Sequence, residues 1–476
     1  MNLPAAKTAF KRHTHEAQPQ NWDEVLATET RPIPDYVTNF GPMPEGPTEV
    51  PTRWYTDPAV FADEVENIWK KKWQMACRLD HIANKGDTYL HEVAGLSFIV
   101  VRVDDDVVKG YWNSCLHRGV PLRQCAGRVD RLQCPFHGFT WSLAGKSVLI
   151  PHAEDFPQID PEKFSLPEVQ IALWQGWVMI NPDLQAEPFE SYVGDLDRQF
   201  ERFPWTDREV TMQIRKVFPA NWKAVQEAFM ESFHVLTTHP QLAFNSAGER
   251  CNTFAARGNV SRGILAIGQT SDYVAQTPGE QLIYERMNGF WDDEAIPDGY
   301  ALPEGVTARQ ANANRNRNLM RPALGDVVDL ATDSEAGDVY YFTLFPNFHP
   351  FGMMQSFAYR FYPHTSSPDA CVMEITFLAP VVGDRPRKEP PPAIELGAQE
   401  EFVAVEKLGS FGSFISQDSS NLAGIMKGMR NSQTGYVQFA EVHESKIRHF
   451  YQVYEGVMGL SAEAEVAEAK ARRAAA

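Results

Sequence analysis

Cys115-Leu116-His117-Arg118-Gly119 and Cys134-Pro135-Phe136-His137-Gly138 decide how this chain is read. The first Cys-His pair has one spacer residue and the second has two, and sixteen residues separate the pairs. Two thiolates and two imidazoles on neighbouring loops make a four-ligand metal site. Zinc accepts a Cys2His2 set, but its usual spacing keeps Cys with Cys and His with His on separate elements. Here each loop mixes the two, which suits a 2Fe-2S cluster with one iron on thiolates and the other on imidazoles. Gly119 and Gly138 fit tight turns around such a group, because glycine accepts a positive φ without a Cβ clash.

The arrangement resembles the Rieske centre, in its soluble, low-potential branch supplied by a ferredoxin or reductase. Respiratory-complex members carry an extra cysteine in each loop and join the two in a disulfide. This chain has Val120 and Phe136 near those places and an unmatched Cys125, so no bridge is expected. Around the loops, 98–103, 107–112, 138–143 and 177–181 read as short strands between turns, a small all-β unit. Between Cys115 and Lys146 five basic residues (Arg118, Arg123, Arg128, Arg131, Lys146) face one acid, Asp130: either a solvated loop or a docking patch for an acidic electron donor.

At 476 residues the chain exceeds a cluster domain alone, so two or more domains are expected. Hydrophobic residues make up 43% and charged ones 22%, an ordinary globular balance, and the net charge of −18 argues against general nucleic-acid binding. No stretch approaches the ~18 apolar residues of a membrane span, and residues 1–20 lack an apolar core followed by a cleavage site. With six scattered cysteines, these features point to a cytoplasmic protein without a membrane partner. The expected fold is α+β: a proline-rich arm at 1–50, disordered or laid over a neighbouring subunit; an all-β Rieske domain with its leading helix at 51–206; a catalytic domain at 207–460, an antiparallel sheet flanked by helices; and a frayed polar tail at 461–476.

The second domain opens with a strand at 210–218 and then Asn221-Trp222-Lys223, followed by residues that read as a helix as far as His239-Pro240. Glu227, Glu231 and His234 fall at i, i+4 and i+7, on one helical face. With His239 five residues on, they form either a metal site or a solvated polar stripe. Beyond lie a polar, irregular insertion at 240–337 with a helix near 308–320, strands at 339–345, 354–362 and 371–378, and a helix at 393–408.

Beside the cluster motif, this segment resembles the catalytic helix of Rieske-type ring-hydroxylating oxygenases: Asn-Trp-Lys, a spaced pair of acids, His, and a second His five residues later. Carried over, the resemblance makes His234 and His239 ligands of a mononuclear non-haem iron and Glu231 the carboxylate that bridges to a Rieske histidine, His137, of the adjacent subunit. The family often has Asn after the first acid and Tyr before the first His, where this chain has Ala228 and Phe233. A facial site of this type needs a carboxylate as its third ligand. Asp418 stands where the family's Asp sits, and Glu400, Glu401 and Glu406 are the fallbacks.

The same resemblance implies a terminal oxygenase component, a homotrimer or α3β3 hexamer, that uses NAD(P)H electrons through a ferredoxin or reductase to activate O2. It would mono- or dioxygenate an apolar small molecule, with aromatic compound catabolism favoured. Oxidative N- or O-dealkylation is the alternative within the class, and a non-catalytic electron carrier or redox sensor the alternative outside it. No glycine-rich dinucleotide fingerprint follows a predicted strand, so no bound nucleotide or flavin is expected. His91, His349, His364, His443 and His449 read as packing or surface residues. Phe342, Phe345, Phe348, Phe351 and Phe357 read as core, with some lining a pocket over the iron.

Overall fold

The computed structural model describes residues 21–246, 248–290, 297 and 299–475. Its N-terminal unit is a seven-stranded antiparallel sheet in the order Gln74–Arg78, Trp177–Asn181, Glu168–Trp174, Val107–Trp112, Leu96–Asp104, Asp87–Val93, Gly127–Arg128. A three-stranded sheet of Leu132–Gln133, Thr140–Trp141 and Ser147–Leu149 carries the second Cys-His loop. The strand expected at 138–143 is thus only two residues long, because Gly138 still belongs to the loop. Ile99, Val101, Tyr111, Leu132 and Trp141 fill the space between the sheets, and Cys115 and Cys134 join that core.

The second unit is an eight-stranded sheet: Thr253–Arg257, Val260–Leu265, Val339–Leu344, Phe348–Pro350, Phe357–Pro363, Cys371–Pro380, Arg208–Phe218, Ile394–Leu396. All its pairings are antiparallel except the last. Three of these strands correct the sequence reading. The hairpin 253–265 falls in the supposed irregular insertion. Arg262 made it look polar, yet its guanidinium is buried and donates to the Tyr36 and Val37 carbonyls at 2.6 and 2.9 Å. The expected helix at 393–408 is instead the edge strand Ile394–Leu396 and two 3-10 turns. Phe402, Val405 and Leu408 are buried there at a spacing of three residues, the period of a 3-10 turn.

The arm and the tail are corrected as well. Residues 1–20 lie outside the described residues, but 21–51 pack on this same chain: Val25 and Val37 are buried, and Glu49–Pro51 pairs with Tyr436–Gln438. The tail forms the helix Ala462–Ala474, with Val466 buried and Glu465 accepting from Arg53 Nε at 2.6 Å and from Trp54 Nε1. An apolar contact and a bidentate ion pair dock what composition alone suggested would fray.

Asn-Trp-Lys anchors the segment that follows it. Asn221 caps the helix Trp222–Glu227 by accepting from the Lys223 N–H at 3.0 Å, and its amide donates to the Tyr55 and Pro368 carbonyls. Trp222 Nε1 donates to Glu64 at 2.9 Å, Tyr454 Oη donates to it at 2.7 Å, and Lys223 Nζ completes a fully buried ion pair with it. Glu64→Ala leaves the Lys223 cation buried and unpaired and is expected to cost about 3–5 kcal/mol of stability. Urea denaturation of variant and parent chains checks this.

Candidate active site and metal centres

The two Cys-His loops close in the same way. The Cys115 N–H donates to the Val120 carbonyl (2.9 Å) and the Gly119 N–H to the Cys115 carbonyl (2.8 Å); Cys134 with Phe139 (2.8 Å) and Gly138 with Cys134 (3.1 Å) repeat the pattern. Gly119 and Gly138 take φ of +78° and +80°, as their sequence positions require. One loop therefore presents its imidazole at the third position and the other at the fourth, from equivalent frames. The thiols of Cys115 and Cys134 meet, and the rings of His117 and His137 lie 4.8 Å apart. Burial pushes the Cys115 thiol up, while the backbone N–H groups of His117 and Arg118 favour its thiolate. His117 Nδ1 is buried with no protein partner, which a metal bond would satisfy. The donor set fits a 2Fe-2S cluster, with His137 on the exposed side.

The second centre forms where a helix was expected to continue. The helix ends at Glu227, and the Phe229 and Met230 N–H groups reach back only three residues. Glu231 then turns its carboxylate onto the backbone: Oε2 accepts from the N–H groups of Phe233 and His234, the latter at 3.1 Å. The short helix Val235–Thr238 begins directly after this turn. Glu227, Glu231 and His234 therefore do not share one continuous helix, a correction to the helical spacing, although all three face the same cavity. His239, held before Pro240, caps the end of that helix.

His234, His239 and Asp418 bring their ligand atoms within 4.8 Å of one another. Asp418, on the helix Ser410–Leu422, places Oδ1 2.9 Å from His239 Nε2 and 3.3 Å from His234 Nε2. Each imidazole is oriented from its other nitrogen: His234 Nδ1 lies 2.5 Å from Glu231 Oε1, and His239 Nδ1 lies 2.7 Å from Gln417 Oε1. Both Nε2 lone pairs are thus left for a metal. Burial opposes charge on His234, yet its hydrogen bonds to Asp418 and Glu231 carry its pKa up to about 10, while the two histidines hold Asp418 below the usual carboxylate range despite its burial. The site attracts positive charge strongly, as a divalent cation centre does. Gln417 escaped sequence reading because its role depends on contact with a histidine 178 positions away. Glu400, Glu401 and Glu406 are exposed and lie outside the cluster.

A cavity of about 620 Å³ opens on His234 and Asp418. Leu422, Ile425, Met429, Val437, Phe439 and Ile447 supply apolar wall, and Glu227, Glu231 and Glu444 supply carboxyls. Among the described residues, no Lys or Arg lines it. The five phenylalanines read as core are core, with Phe342, Phe345, Phe348 and Phe351 buried and Phe357 packed against them, and none of them lines this cavity as some were expected to. A strand face pointing into the sheet's packing has no side chains left for the cavity, whose apolar wall comes mostly from segments near the C-terminus and is completed by residues such as Thr52 and Ala224 from earlier in the chain. His91 and His349 are buried and hydrogen-bonded in the core, and His443 stacks on the exposed Phe233.

Residues 72–170 match the Rieske [2Fe-2S] domain and residues 202–460 the ring hydroxylating alpha subunit (catalytic domain). The chain belongs to the Rieske-type ring-hydroxylating oxygenase alpha subunits, whose cofactors are one 2Fe-2S cluster and a mononuclear iron. It is 30% identical over 212 residues to the oxygenase subunit of carnitine monooxygenase of Escherichia coli, a match covering 44% of this chain and 57% of that one. It is 26% identical over 306 residues to the oxygenase subunit of glycine betaine monooxygenase of Chromohalobacter salexigens, covering 64% and 62%. The chain thus spans little more than half the length of these relatives. In fold it is similar to naphthalene 1,2-dioxygenase with indole bound in the active site (TM-score 0.61, 18% identity, 89% of this chain and 95% of the other).

Proposed function

We propose that this chain is the terminal oxygenase component of a multicomponent Rieske oxygenase, acting on an uncharged, apolar small molecule, aromatic compounds included. The observation that carries it is the convergence of His234, His239 and Asp418 at the mouth of a largely apolar cavity. We assign His234, His239 and Asp418 as the iron ligands, and Cys115, Cys134, His117 and His137 as the cluster ligands. When bound, the iron supplies oxygen activation and the cluster one electron at a time. This chain's own residues do the rest. Glu231 and Gln417 fix the two imidazoles, the apolar wall limits water, and the cavity's carboxyls disfavour anionic substrates.

Electrons would come from a ferredoxin or reductase. Arg118, Arg131 and Lys146 are exposed near the cluster loops with no ion-pair partner among the described residues, which supports docking of an acidic donor. A head-to-tail ring of three, alone or with a second subunit type, is supported by exposed apolar residues in and after the cluster loops, Phe136, Val148 and Leu149, and by the exposed Phe233, two residues after Glu231. The four cysteines outside the cluster, Cys77, Cys125, Cys251 and Cys371, are free thiols, which supports a cytoplasmic setting. We keep the division at 51–206 and 207–460 for the two units.

Oxidative N-dealkylation of an amine is the second reading, favoured by what the carnitine and glycine betaine relatives act on and by the acidic cavity. The test is iron and acid-labile sulfide analysis of the purified chain, then oxygen uptake and product analysis with a ferredoxin and reductase over neutral aromatics and N-methylated amines. Non-sulfide iron beside the cluster and oxygen incorporated into product are expected. Cluster iron alone, with no product, would mean an electron carrier.

A further inference from the structure

Glu227 sits at the end of the helix Trp222–Glu227, only 7% exposed, and lines the cavity without belonging to the iron site. Tyr55 and Tyr451, on the separate helices Arg53–Thr56 and Ser445–Met458, both donate to its Oε1, at 2.9 and 2.5 Å. Its Oε2 has no hydrogen-bond partner among the described residues and is not closed off from the cavity. A polar atom open to a cavity is satisfied there by water or by a polar group of a bound molecule.

We propose that Glu227 determines specificity, its Oε2 donating a hydrogen bond to a carbonyl or hydroxyl oxygen of an otherwise apolar, uncharged substrate. This rests on the oxygenase reading above and narrows its substrate class. The surroundings favour a protonated carboxyl. Lys223, the nearest cation, is already taken by Glu64, and Glu444, Glu231 and Asp418 share the cavity. Burial lifts the Glu227 pKa to about 8, against the two phenols and Lys223, with Glu444 adding to the rise. Since Oε1 accepts both phenolic protons, the carboxyl's own proton belongs on Oε2, facing the cavity. Among the described residues, a substrate carboxylate meets no Lys or Arg there, and Phe439 is the single Phe, Tyr or Trp of the lining, too little to cage a methylated ammonium.

The groups facing Glu227 are Tyr55, Tyr451, Lys223 and Glu444. Burial and Glu227 itself keep both phenols protonated well beyond their ordinary range. Binding of indane and of 1-indanone to the iron-loaded holoenzyme, measured by calorimetry, separates the possibilities without any turnover. At about pH 7 the parent chain should bind 1-indanone about tenfold more tightly than indane, and the preference should vanish near pH 9.5 as the donor is lost. Glu227→Gln keeps an acceptor for the phenols and a donor for the cavity, so it should keep the preference at both pH values. Glu227→Leu should lose it at both. No preference in the parent chain, or one that survives high pH unchanged or survives Glu227→Leu, overturns the proposal. Failure of the oxygenase reading would appear separately, as absent product from fully loaded enzyme.

Discussion

Asp418→Ala is expected to strip the non-sulfide iron from the chain and to lower product formation at least ~100-fold, since losing even a hydrogen-bond partner of a metal ligand costs up to that much. Asp418 is the only carboxylate in the three-residue cluster. It is buried, on the inner face of the helix Ser410–Leu422 beside Ile415 and Ser419, and reaches both imidazoles with one oxygen. No other acid can take its place: Glu231 is committed to His234 and two backbone N–H groups, and Glu400, Glu401 and Glu406 are exposed. With two imidazoles alone, a facial site loses its anionic ligand and most of its hold on a hard divalent ion. The cluster loops make no use of Asp418, so acid-labile sulfide and the cluster's visible absorption should be unchanged. Retention of the third iron, with turnover within a few-fold of the parent chain, would place the carboxylate ligand elsewhere.

What the sequence revealed and what it hid divide along physical lines. Both candidate metal sites were legible because the residues that define them are close in sequence. Each cluster loop sets its cysteine and histidine two or three residues apart, and His234 and His239 are five apart. Asp418 was placed by resemblance rather than by pattern, being 179 positions beyond His239. Long antiparallel strands such as Arg208–Phe218 and Cys371–Pro380 were also legible, the first by a partial alternation of apolar and polar residues and the second as a largely apolar run that is buried over its first six residues. Buried polar residues defeated the pattern. Arg262 disguised a central strand, and its compensation by the Tyr36 and Val37 carbonyls lies more than two hundred positions away. The break after Glu227 was hidden for a related reason: the residues there are good helix formers, and only the Glu231 carboxylate, competing for the backbone N–H groups ahead, ends the run. The cavity wall could not be read at all, because it assembles side chains from both ends of the domain, Ala224 to Ile447.

Glu231→Ala is expected to leave both metal centres occupied and yet to lower steady-state turnover by about 100-fold, the upper end for a partner that orients a ligand. The reason lies in the count of its acceptor sites. A carboxylate offers about four lone-pair positions. His234 Nδ1 takes one on Oε1, and the N–H groups of Phe233 and His234 take two around Oε2. One remains, on a side chain at the foot of the exposed Phe233, and we propose that His137 of an adjacent copy donates to it. His137 is suited to that role because it is the exposed histidine of its pair, flanked by the exposed Phe136. In the alanine variant the donor should still reduce the cluster normally, while cluster reoxidation in the presence of substrate and O2 slows in single turnover. A purely structural role for Glu231 would instead lower iron content or stability and leave that step alone. Mixing supplies the independent check. Chains carrying Cys134→Ala lack a working cluster and chains carrying His234→Ala lack a working iron site. When co-assembled, they should recover part of the activity, because an intact cluster in one copy then faces an intact iron site in the next. Normal reoxidation in Glu231→Ala, together with no recovery on mixing, would confine electron transfer to a single chain.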